Sequence, residues 1–240
     1  MMMKRLFQTP STDWTTRHAN KQASAIHPFL KAFYSAPLVT GDTPLDEIEF
    51  VAMDFETTGL NVKKDGIITI GLVPFTLNRV YINRAQHWTV RPRQKLNEQS
   101  VVIHNITHND ILDAPDLSEV IEPVLAALSG RVVVVHYRRI EREFLDRALK
   151  DRIKEGIEFP VIDTLDLEAH IQQRLNGGFW NKLRGKKPQS VRLAQARKRY
   201  GLPAYTPHHA LTDAIATAEL LQAQIAYHYD AKKPIEDFWL

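Results

Sequence analysis

The feature that most constrains the fold is an apolar run that ends in two acidic residues. Residues 50–53 are suited to a buried strand, and Asp54 and Glu56 follow two positions apart. Side chains at this spacing project from the same face of a strand, so both carboxylates are expected to point the same way. Two neighbouring buried carboxylates repel each other unless a cation or a shared proton compensates. The run therefore predicts a strand whose end faces a positive charge.

Composition excludes several classes of protein. The chain has 240 residues, of which 44% are hydrophobic, enough for one large domain or two small ones. The sequence contains no apolar run of signal-peptide or membrane-span length, so we expect a cytoplasmic protein with no membrane contact. Cysteine is absent, which excludes disulfides, thiolate metal sites and cysteine nucleophiles.

Positive charge is concentrated in one segment. The net charge is only +3, yet the segment between Glu168 and Asp213 has nine Lys and Arg residues and no acid. Such a segment favours binding of a polyanion through charge neutralisation and counterion release, although a solvated surface would explain it too. Phe179 and Trp180 in this segment could stack on nucleic-acid bases, or pack on the domain from a basic loop.

Residues 1–45 lack the alternation of the segments after them and are interpreted as an N-terminal extension that is partly helical. Pro28 is suited to the first turn of the helix that its apolar stripe predicts. Packing on the domain is the simplest role for this stripe, and self-association or a protein partner is the alternative. The stripe consists of Ile26, Phe29, Leu30, Phe33 and Tyr34.

Residues 46–240 are predicted to form one α/β domain with a mixed sheet. Strands are expected at 47–55, 66–75, 79–91, 132–135 and 159–162, with a hairpin at 76–78. Helices are expected at 138–150, 164–174, 190–200 and 209–227. Another helix should precede Gly130, with Asp116 as its candidate N-cap, although Pro123 favours a later start.

Three further polar residues could complete a site with Asp54 and Glu56. Glu141 comes after a short apolar strand and lies beside the apolar face of the next helix, while His208 precedes Asp213 on an otherwise apolar helix. Each has another explanation when taken alone: a solvent-facing residue, a turn residue, and a cap or surface acid, respectively. Together, four carboxylates without sulfur favour Mg²⁺ or Mn²⁺ over structural zinc.

Three blocks of sequence share the order and spacing of a known family. They are D-x-E-T-T-G-L at 54–60 with I-I-x-I-G at 67–71, V-x-H-x4-acid-x2-F-L at 134–145, and Y-G-L-P-x4-H-x-A-L-x-D-A at 200–214. Over residues 48–225 the chain resembles the DEDDh 3′-to-5′ exonucleases, which include the proofreading epsilon subunit of bacterial DNA polymerase III. The resemblance implies a ribonuclease H-like fold, a five-stranded mixed β-sheet flanked by α-helices with the acids at one end.

The resemblance also implies roles for the acids in a two-metal hydrolysis. Asp54 would bridge two divalent cations, and Glu56 and Asp213 would bind the one that holds the nucleophilic water. Glu141 would bind the second cation beneath the leaving group, and His208 would be the general base. The product would be nucleoside 5′-monophosphates released from a 3′ end.

Substrate contacts implied by the resemblance are less direct. Thr57, Leu60 and His104 would border the terminal nucleotide. Two further contacts are suggested by the side chains and not by the resemblance. Arg138 and Arg139 could add positive charge beside the site, and Phe179 and Trp180 could stack on a base.

Two departures from the family pattern are informative. Where the family has H-N-A-x-F-D, this chain has Tyr137 in place of asparagine and Glu141 in place of aspartate. The extra methylene of Glu141 changes metal geometry, which Mg²⁺ tolerates poorly, so lower activity or a preference for Mn²⁺ is the resulting hypothesis. Thr69 stands where glutamate is common, at a position to which we assign no metal role.

Three functions remain open at this point. The first is an exonuclease on DNA, with single-stranded or frayed ends as its expected substrate. The second is the same chemistry on RNA, and the third is a nucleic-acid-binding module with weakened catalysis. Because the chain ends soon after its third block, we expect a stand-alone nuclease rather than a replicative subunit.

Overall fold

A mixed β-sheet positions the rest of the molecule. In the computed structural model, which describes residues 12–93, 111–176 and 189–240, the sheet has six strands in the order β3-β2-β1-β5-β6, with β4 also paired to β2. The prediction of a mixed sheet flanked by helices is confirmed, with six strands instead of five. The strands are β1 (Phe50–Thr57), β2 (Ile67–Thr76), β3 (Arg79–Val80), β4 (Gln86–Thr89), β5 (Val132–Val135) and β6 (Val161–Asp163).

Helices cover both faces of this sheet. The bounds of those in the described ranges are α1 (Trp14–Ser24), α2 (Pro28–Ser35), α3 (Leu117–Leu128), α4 (Arg138–Ile153), α5 (Thr164–Asn176), α6 (Leu193–Arg199) and α7 (Ala210–His228). One face packs against α2, α3 and α4, and the other against α5 and α7. Within those ranges, no helix combines the length and the apolar character needed to cross a membrane.

Strand β1 lies between partners of opposite direction. It pairs antiparallel with β2 and parallel with β5, and β5 pairs parallel with β6. The predicted hairpin at 76–78 is confirmed, since Thr76 pairs with Arg79 across Leu77 and Asn78. The central position of β1 places the acids at its end among several neighbouring elements.

The prediction of a single strand over 79–91 is wrong. The chain leaves the sheet after Val80, makes a 3-10 turn at Ile82–Arg84 and returns as β4. The amide of Tyr81 donates to the carbonyl of Pro74 on β2, but proline has no N–H to return that bond. The ladder between β2 and β3 therefore ends at this pair.

Helix α3 begins early despite its internal proline. Asp116 caps it, and Glu119 completes a capping box, so the later start favoured by Pro123 is wrong. A proline in a helix interior costs about 3 kcal/mol. Capping and the burial of an apolar stripe offset that cost, and the stripe consists of Leu117, Ile121, Val124, Leu125 and Leu128.

The helices before residue 45 pack on the sheet layers. Pro28 occupies the first turn of α2, as predicted, and Leu30, Phe33 and Tyr34 are buried in the same core as α3. Ile26 is 80% exposed, so its assignment to the buried stripe is wrong. It precedes α2, and its amide is held at the surface by the carboxylate of Glu155.

Candidate active site

Alternation along β1 directs both of its acids toward the same helix. Phe50 and Ala52 pack on the face that α7 covers, and Asp54 and Glu56 continue that alternation. Helix α7 carries Asp213 in its first turn and packs closely on β2. One carboxylate oxygen from each of the three acids lies within 4.8 Å of the others. The structure thus brings together acids that are about 160 positions apart in the sequence.

The fourth acid, Glu141, approaches from the first turn of α4. Only 2% of it is exposed, so the alternative of a solvent-facing helix residue is wrong. Its charge contributes to the raised pKa of Asp54. Among the described atoms, Glu141 Oε2 has no hydrogen-bond partner. A buried carboxylate oxygen without a donor carries a desolvation cost that a bound cation would remove.

Burial and repulsion from neighbouring carboxylates shift Asp54, Glu141 and Asp213 toward binding protons or cations. Burial raises the pKa of Asp54 well above its ordinary value, and the charges of Glu141, Asp213 and Glu56 raise it further. Burial also raises the pKa of Glu141 well above its ordinary value. The pKa of Asp213 is raised by burial, and the backbone N–H of His208 offsets part of that rise. A cation at this point would relieve the repulsion.

The donor chemistry of the cluster fits hard divalent cations. All of its candidate ligands are carboxylate oxygens, which Mg²⁺ and Mn²⁺ prefer, and the chain has no cysteine for a thiolate site. The unpartnered Oε2 of Glu141 is consistent with a ligand atom. The residues that could hold metal are Asp54, Glu56, Glu141 and Asp213.

His208 is held beside the acids by its own backbone. It has a φ of 69°, in the left-handed region that non-glycine residues rarely adopt, and its N–H donates to Asp213 Oδ2 at 2.8 Å. Its side chain lines the same cleft as Asp54 and Asp213. The carboxylate of Asp213 therefore fixes the turn that presents the imidazole.

Asp54 and Asp213 line a cleft of about 880 Å³. One wall is α6 with its N-cap residue Arg192, and Lys198 of that helix also lines the cleft. The other wall is the segment 202–208 that leads into α7. Tyr205 and Pro207 contribute to an apolar lining, with cations at the edge. A cleft of this kind suits a ligand that combines flat apolar groups with negative charge.

Two predicted binding residues lie at the end of β1 and on the turn that follows it: Thr57 ends the strand, and Leu60 is on the turn. Thr57 is buried, and its hydroxyl donates to the carbonyl of Gly59 at 2.7 Å, so it shapes the turn. Leu60 is 83% exposed and projects beyond it. His104, Phe179 and Trp180 lie outside the described residues.

The two arginines predicted to supply charge beside the site are engaged in ion pairs. Arg138 pairs with Asp163 at 3.2 Å and also with Asp166, whereas Arg139 pairs with Glu143 at 3.2 Å. Their positive charge is therefore largely matched by local carboxylates.

Two cations of the basic segment, Arg197 and Arg199, have structural partners within the domain. Arg197 is buried, pairs with Glu219 and donates to the carbonyls of Ala216 and Pro203. Arg199 pairs at 2.9 Å with Glu168, which is fully buried. Sequence reports the sign of these charges but not their distant partners.

Sequence patterns assigned no role to three residues at the ends of the parallel strands, His136, Asp163 and Thr164. His136 lines the cleft, its Nδ1 lies 2.9 Å from the hydroxyl of Thr164, and burial lowers its pKa to about 4. Asp163 binds the backbone at the start of α4. Their place directly after predicted parallel strands could have identified them, because the carboxyl ends of parallel strands meet at one edge of the sheet. The strand predicted at 159–162 stops one residue short of Asp163.

Comparison with known proteins identifies sequence relatives over most of the chain. Residues 51–221 match the exonuclease family RNase_T. The DNA polymerase III subunit epsilon of Treponema pallidum is 27% identical over 183 residues, which are 76% of this chain and 79% of that protein. The PolC-type DNA polymerase III of Thermotoga petrophila is 28% identical over 179 residues. That match covers 75% of this chain but only 12% of the polymerase.

A solved structure shows the same fold at lower sequence identity. The nuclease domain of 3′hExo, described as a DEDDh family member bound to rAMP, superposes with a TM-score of 0.58 and 16% identity. The superposition covers 75% of this chain and 92% of that domain. At this identity the likeness establishes the architecture and not the substrate.

Proposed function

This chain belongs to the DEDDh exonuclease family related to the epsilon subunit of DNA polymerase III, and from that premise we propose its reaction and substrate. It is a nuclease of the hydrolase class with a ribonuclease H-like fold. The proposed reaction is 3′-to-5′ hydrolysis of terminal phosphodiester bonds in DNA, at single-stranded or frayed ends, to nucleoside 5′-monophosphates. The observation that carries this proposal is the meeting of Asp54, Glu56 and Asp213 within 4.8 Å, with Glu141 buried beside them.

Each polar residue of the site has a proposed task. Asp54, Glu56 and Asp213 would hold one divalent cation, Mg²⁺ or Mn²⁺, and Asp54 and Glu141 would hold a second. Such cations, when bound, acidify a water molecule and stabilise the entering and leaving oxygens of an in-line displacement. His208 would take the proton from the attacking water, and the hydrogen bond from its backbone N–H to Asp213 holds the turn that presents the imidazole.

The relatives favour DNA as the substrate. Both sequence relatives described above are DNA polymerase III proteins. RNA is the second candidate because the solved nuclease domain with the same fold is bound to rAMP. A binding module with weakened catalysis is the third, and it rests on Glu141, which stands where the family has aspartate. A module that only binds would have no chemical need for an imidazole beside four acids, which disfavours it.

We also propose that residues 1–45 form an extension docked on an exonuclease domain of residues 46–240. The family match begins at residue 51, after both α1 and α2. Arg17 and Lys21 of α1 pair with Glu158, and the amides of Ile26 and His27 donate to Glu155. These polar contacts, together with the buried face of α2, make domain packing the proposed role of the extension.

A nuclease assay tests the proposed reaction. Single-stranded DNA and RNA of one sequence, each labelled at the 3′ end and separately at the 5′ end, are incubated with Mg²⁺ or Mn²⁺. The proposal predicts early release of the 3′ label as a mononucleotide and stepwise shortening of the 5′-labelled strand, with DNA degraded faster. Asp54→Asn should abolish both signals, whereas Glu143→Gln, at an exposed position on the helix of Glu141, should not.

Other outcomes select the alternatives. Faster degradation of RNA would assign the enzyme to the second candidate. Retention of labelled strands in a binding assay, without release under either metal, would assign it to the third.

A further inference from the structure

Helix α4, which carries Glu141, has no side-chain cap of its own. Its N-cap residue, Tyr137, makes no capping hydrogen bond through its side chain within the described part of the chain. The missing acceptor comes from the end of a neighbouring strand, because Asp163 accepts from the amide of Tyr137 at 3.0 Å and from that of Arg138 at 2.9 Å. These amides begin the helix, and an anionic acceptor is stabilising there.

The backbone of the capped turn is strained, so contacts from outside the helix are needed to keep its conformation. Tyr137 has a φ of 93°, in the left-handed region that a tyrosine rarely adopts. Such a conformation persists where the surrounding structure determines it, and the amide contact to Asp163 is part of that surrounding structure. Glu141 lies four residues later, so the angle of this turn sets where its carboxylate lies.

Asp163 itself is rigidly placed. It is 2% exposed, and its Oδ1 also accepts from the amide of Leu165 at 3.0 Å. The adjacent Thr164 donates its hydroxyl to the carbonyl of Val135 at 2.9 Å and lies 2.9 Å from the ring of His136. Asp163 at the end of β6 and Thr164 at the start of α5 thus bind the segment 135–138 that leads from β5 into α4.

We propose that Asp163 is a positioning residue for the second metal ligand: by holding the first turn of α4 it sets the carboxylate of Glu141 against Asp54. This inference rests on the proposed function, because it assumes that Glu141 binds metal. It assigns a specific task to a residue outside the set of proposed metal ligands. Outer residues that orient a ligand typically change metal affinity by about 10–100-fold when they are replaced.

Metal binding without substrate separates this task from general stabilisation. Mn²⁺ is titrated calorimetrically into the full chain, the isosteric variant Asp163→Asn and the control Asp166→Asn. Asp166 pairs with the Arg138 side chain, as Asp163 does, whereas the α4 amides of Tyr137 and Arg138 donate to Asp163. The control therefore removes a carboxylate from the same ion-pair group and leaves the cap in place.

The wild-type chain is expected to bind two Mn²⁺ ions. Asp163→Asn should weaken one site by about tenfold or more and leave the other within about twofold, while Asp166→Asn should leave both within about twofold. Adding Tyr137→Gly to Asp163→Asn should recover part of the loss, since glycine adopts a positive φ without strain. If Asp163→Asn alone does not fold, the Mn²⁺ affinities of the double variant are compared with those of the wild-type chain.

The contrary results are distinct. Equal weakening of both sites, an equal effect of Asp166→Asn, or no recovery in the double variant would overturn the positioning role. If the wild-type chain bound no Mn²⁺, the proposed function itself would fail, and this inference with it.

Discussion

Gly71 of β2 lies directly against the first turn of α7, where a Cβ atom would be 2.3 Å from the carbonyl carbon of Ala210. Gly71 also pairs with Asp54 across the sheet. This position without a side chain thus lets β2, the strand paired with Asp54, contact the helix that carries Asp213. An added side chain would push α7 away from the sheet.

We therefore expect Gly71→Ala to damage activity more than its stability cost suggests. Overpacking of this kind typically costs about 1–3 kcal/mol of unfolding free energy. A displacement of about 1 Å at a catalytic group can lower the rate by about a hundredfold. Nuclease rates and urea unfolding are measured together on the purified variant.

Gly201→Ala is the matched control for that substitution. Gly201 has a φ of 67°, and apart from its chain neighbours no atom of the described residues lies within 4 Å of the point that a Cβ would occupy, so alanine there adds strain without new packing contacts. It should cost about 1–2 kcal/mol of stability and leave activity per folded molecule unchanged. Equal loss of activity in both variants would show that Gly71 has no special part in placing α7.

Stability of the metal-free protein should fall as the pH rises above the ordinary carboxyl values of 3.8 and 4.5. Because Asp54, Glu141 and Asp213 have raised pKa values in the folded state, that state binds more protons than the unfolded chain in this window. Unfolding free energy then decreases with pH. Urea unfolding from about pH 5 to 8 in the presence of a chelator measures the slope of unfolding free energy against pH. In a second series, with Mn²⁺ in place of the chelator, this slope should be smaller.

Asp54→Asn isolates the acids from other titrating groups. His136 acts in the opposite direction, because burial lowers its pKa from 6.5 to about 4 and the unfolded chain takes up its proton first as the pH falls. The difference between wild type and Asp54→Asn cancels that contribution. An identical slope in the two proteins would show that the cluster is not electrostatically strained.

Glu141→Asp should raise the ratio of the rate with Mg²⁺ to the rate with Mn²⁺. Shortening the side chain by one methylene restores the residue that the family has at this position, and Mg²⁺ depends more strongly on ligand geometry. Steady-state rates with each metal give the ratio. Glu143→Asp, on the same helix but exposed, is the control, and an unchanged ratio in both variants would remove the argument for a Mn²⁺ preference.

Two adjacent cations on α6 should have different effects when replaced. Arg199 pairs with the buried Glu168, so Arg199→Ala removes the cationic partner of that acid and leaves it with neutral donors from Gln172, Tyr200 and Gln224. The loss should cost about 3 kcal/mol of stability, the lower end of the range for breaking a buried ion pair. Lys198 lines the cleft, so Lys198→Ala should weaken binding of a single strand and leave the melting temperature unchanged. Fluorescence anisotropy with a labelled oligonucleotide and thermal melting measure the two effects. The reverse pattern would contradict the structural role of Arg199.

Sequence predicted the elements that depend on local pattern. Alternation along 50–56 correctly indicated a strand with both acids on one face, and the apolar spacing of 209–227 located the helix of Asp213. Sequence failed where a distant partner decided the outcome. Pro74 interrupts the ladder beside Tyr81, and Glu168 engages Arg199, and neither effect is visible in the segment being read.

The site residues that could be predicted from sequence are those that belong to a short motif. Asp54, Glu56, His208 and Asp213 stand in blocks with fixed spacing. Asp163 was missed because it accepts hydrogen bonds from backbone amides on another element, and a backbone donor leaves no signature in the identity of the residue that donates.

Anomalous diffraction from a crystal soaked with Mn²⁺ and a nucleoside 5′-monophosphate tests most directly whether the converged acids form a metal centre. The account predicts two Mn²⁺ peaks about 3.5–4 Å apart. One should contact Asp54, Glu56 and Asp213, and the other Asp54 and Glu141. Manganese bound only elsewhere on the protein, or no peak between these carboxylates, would contradict it.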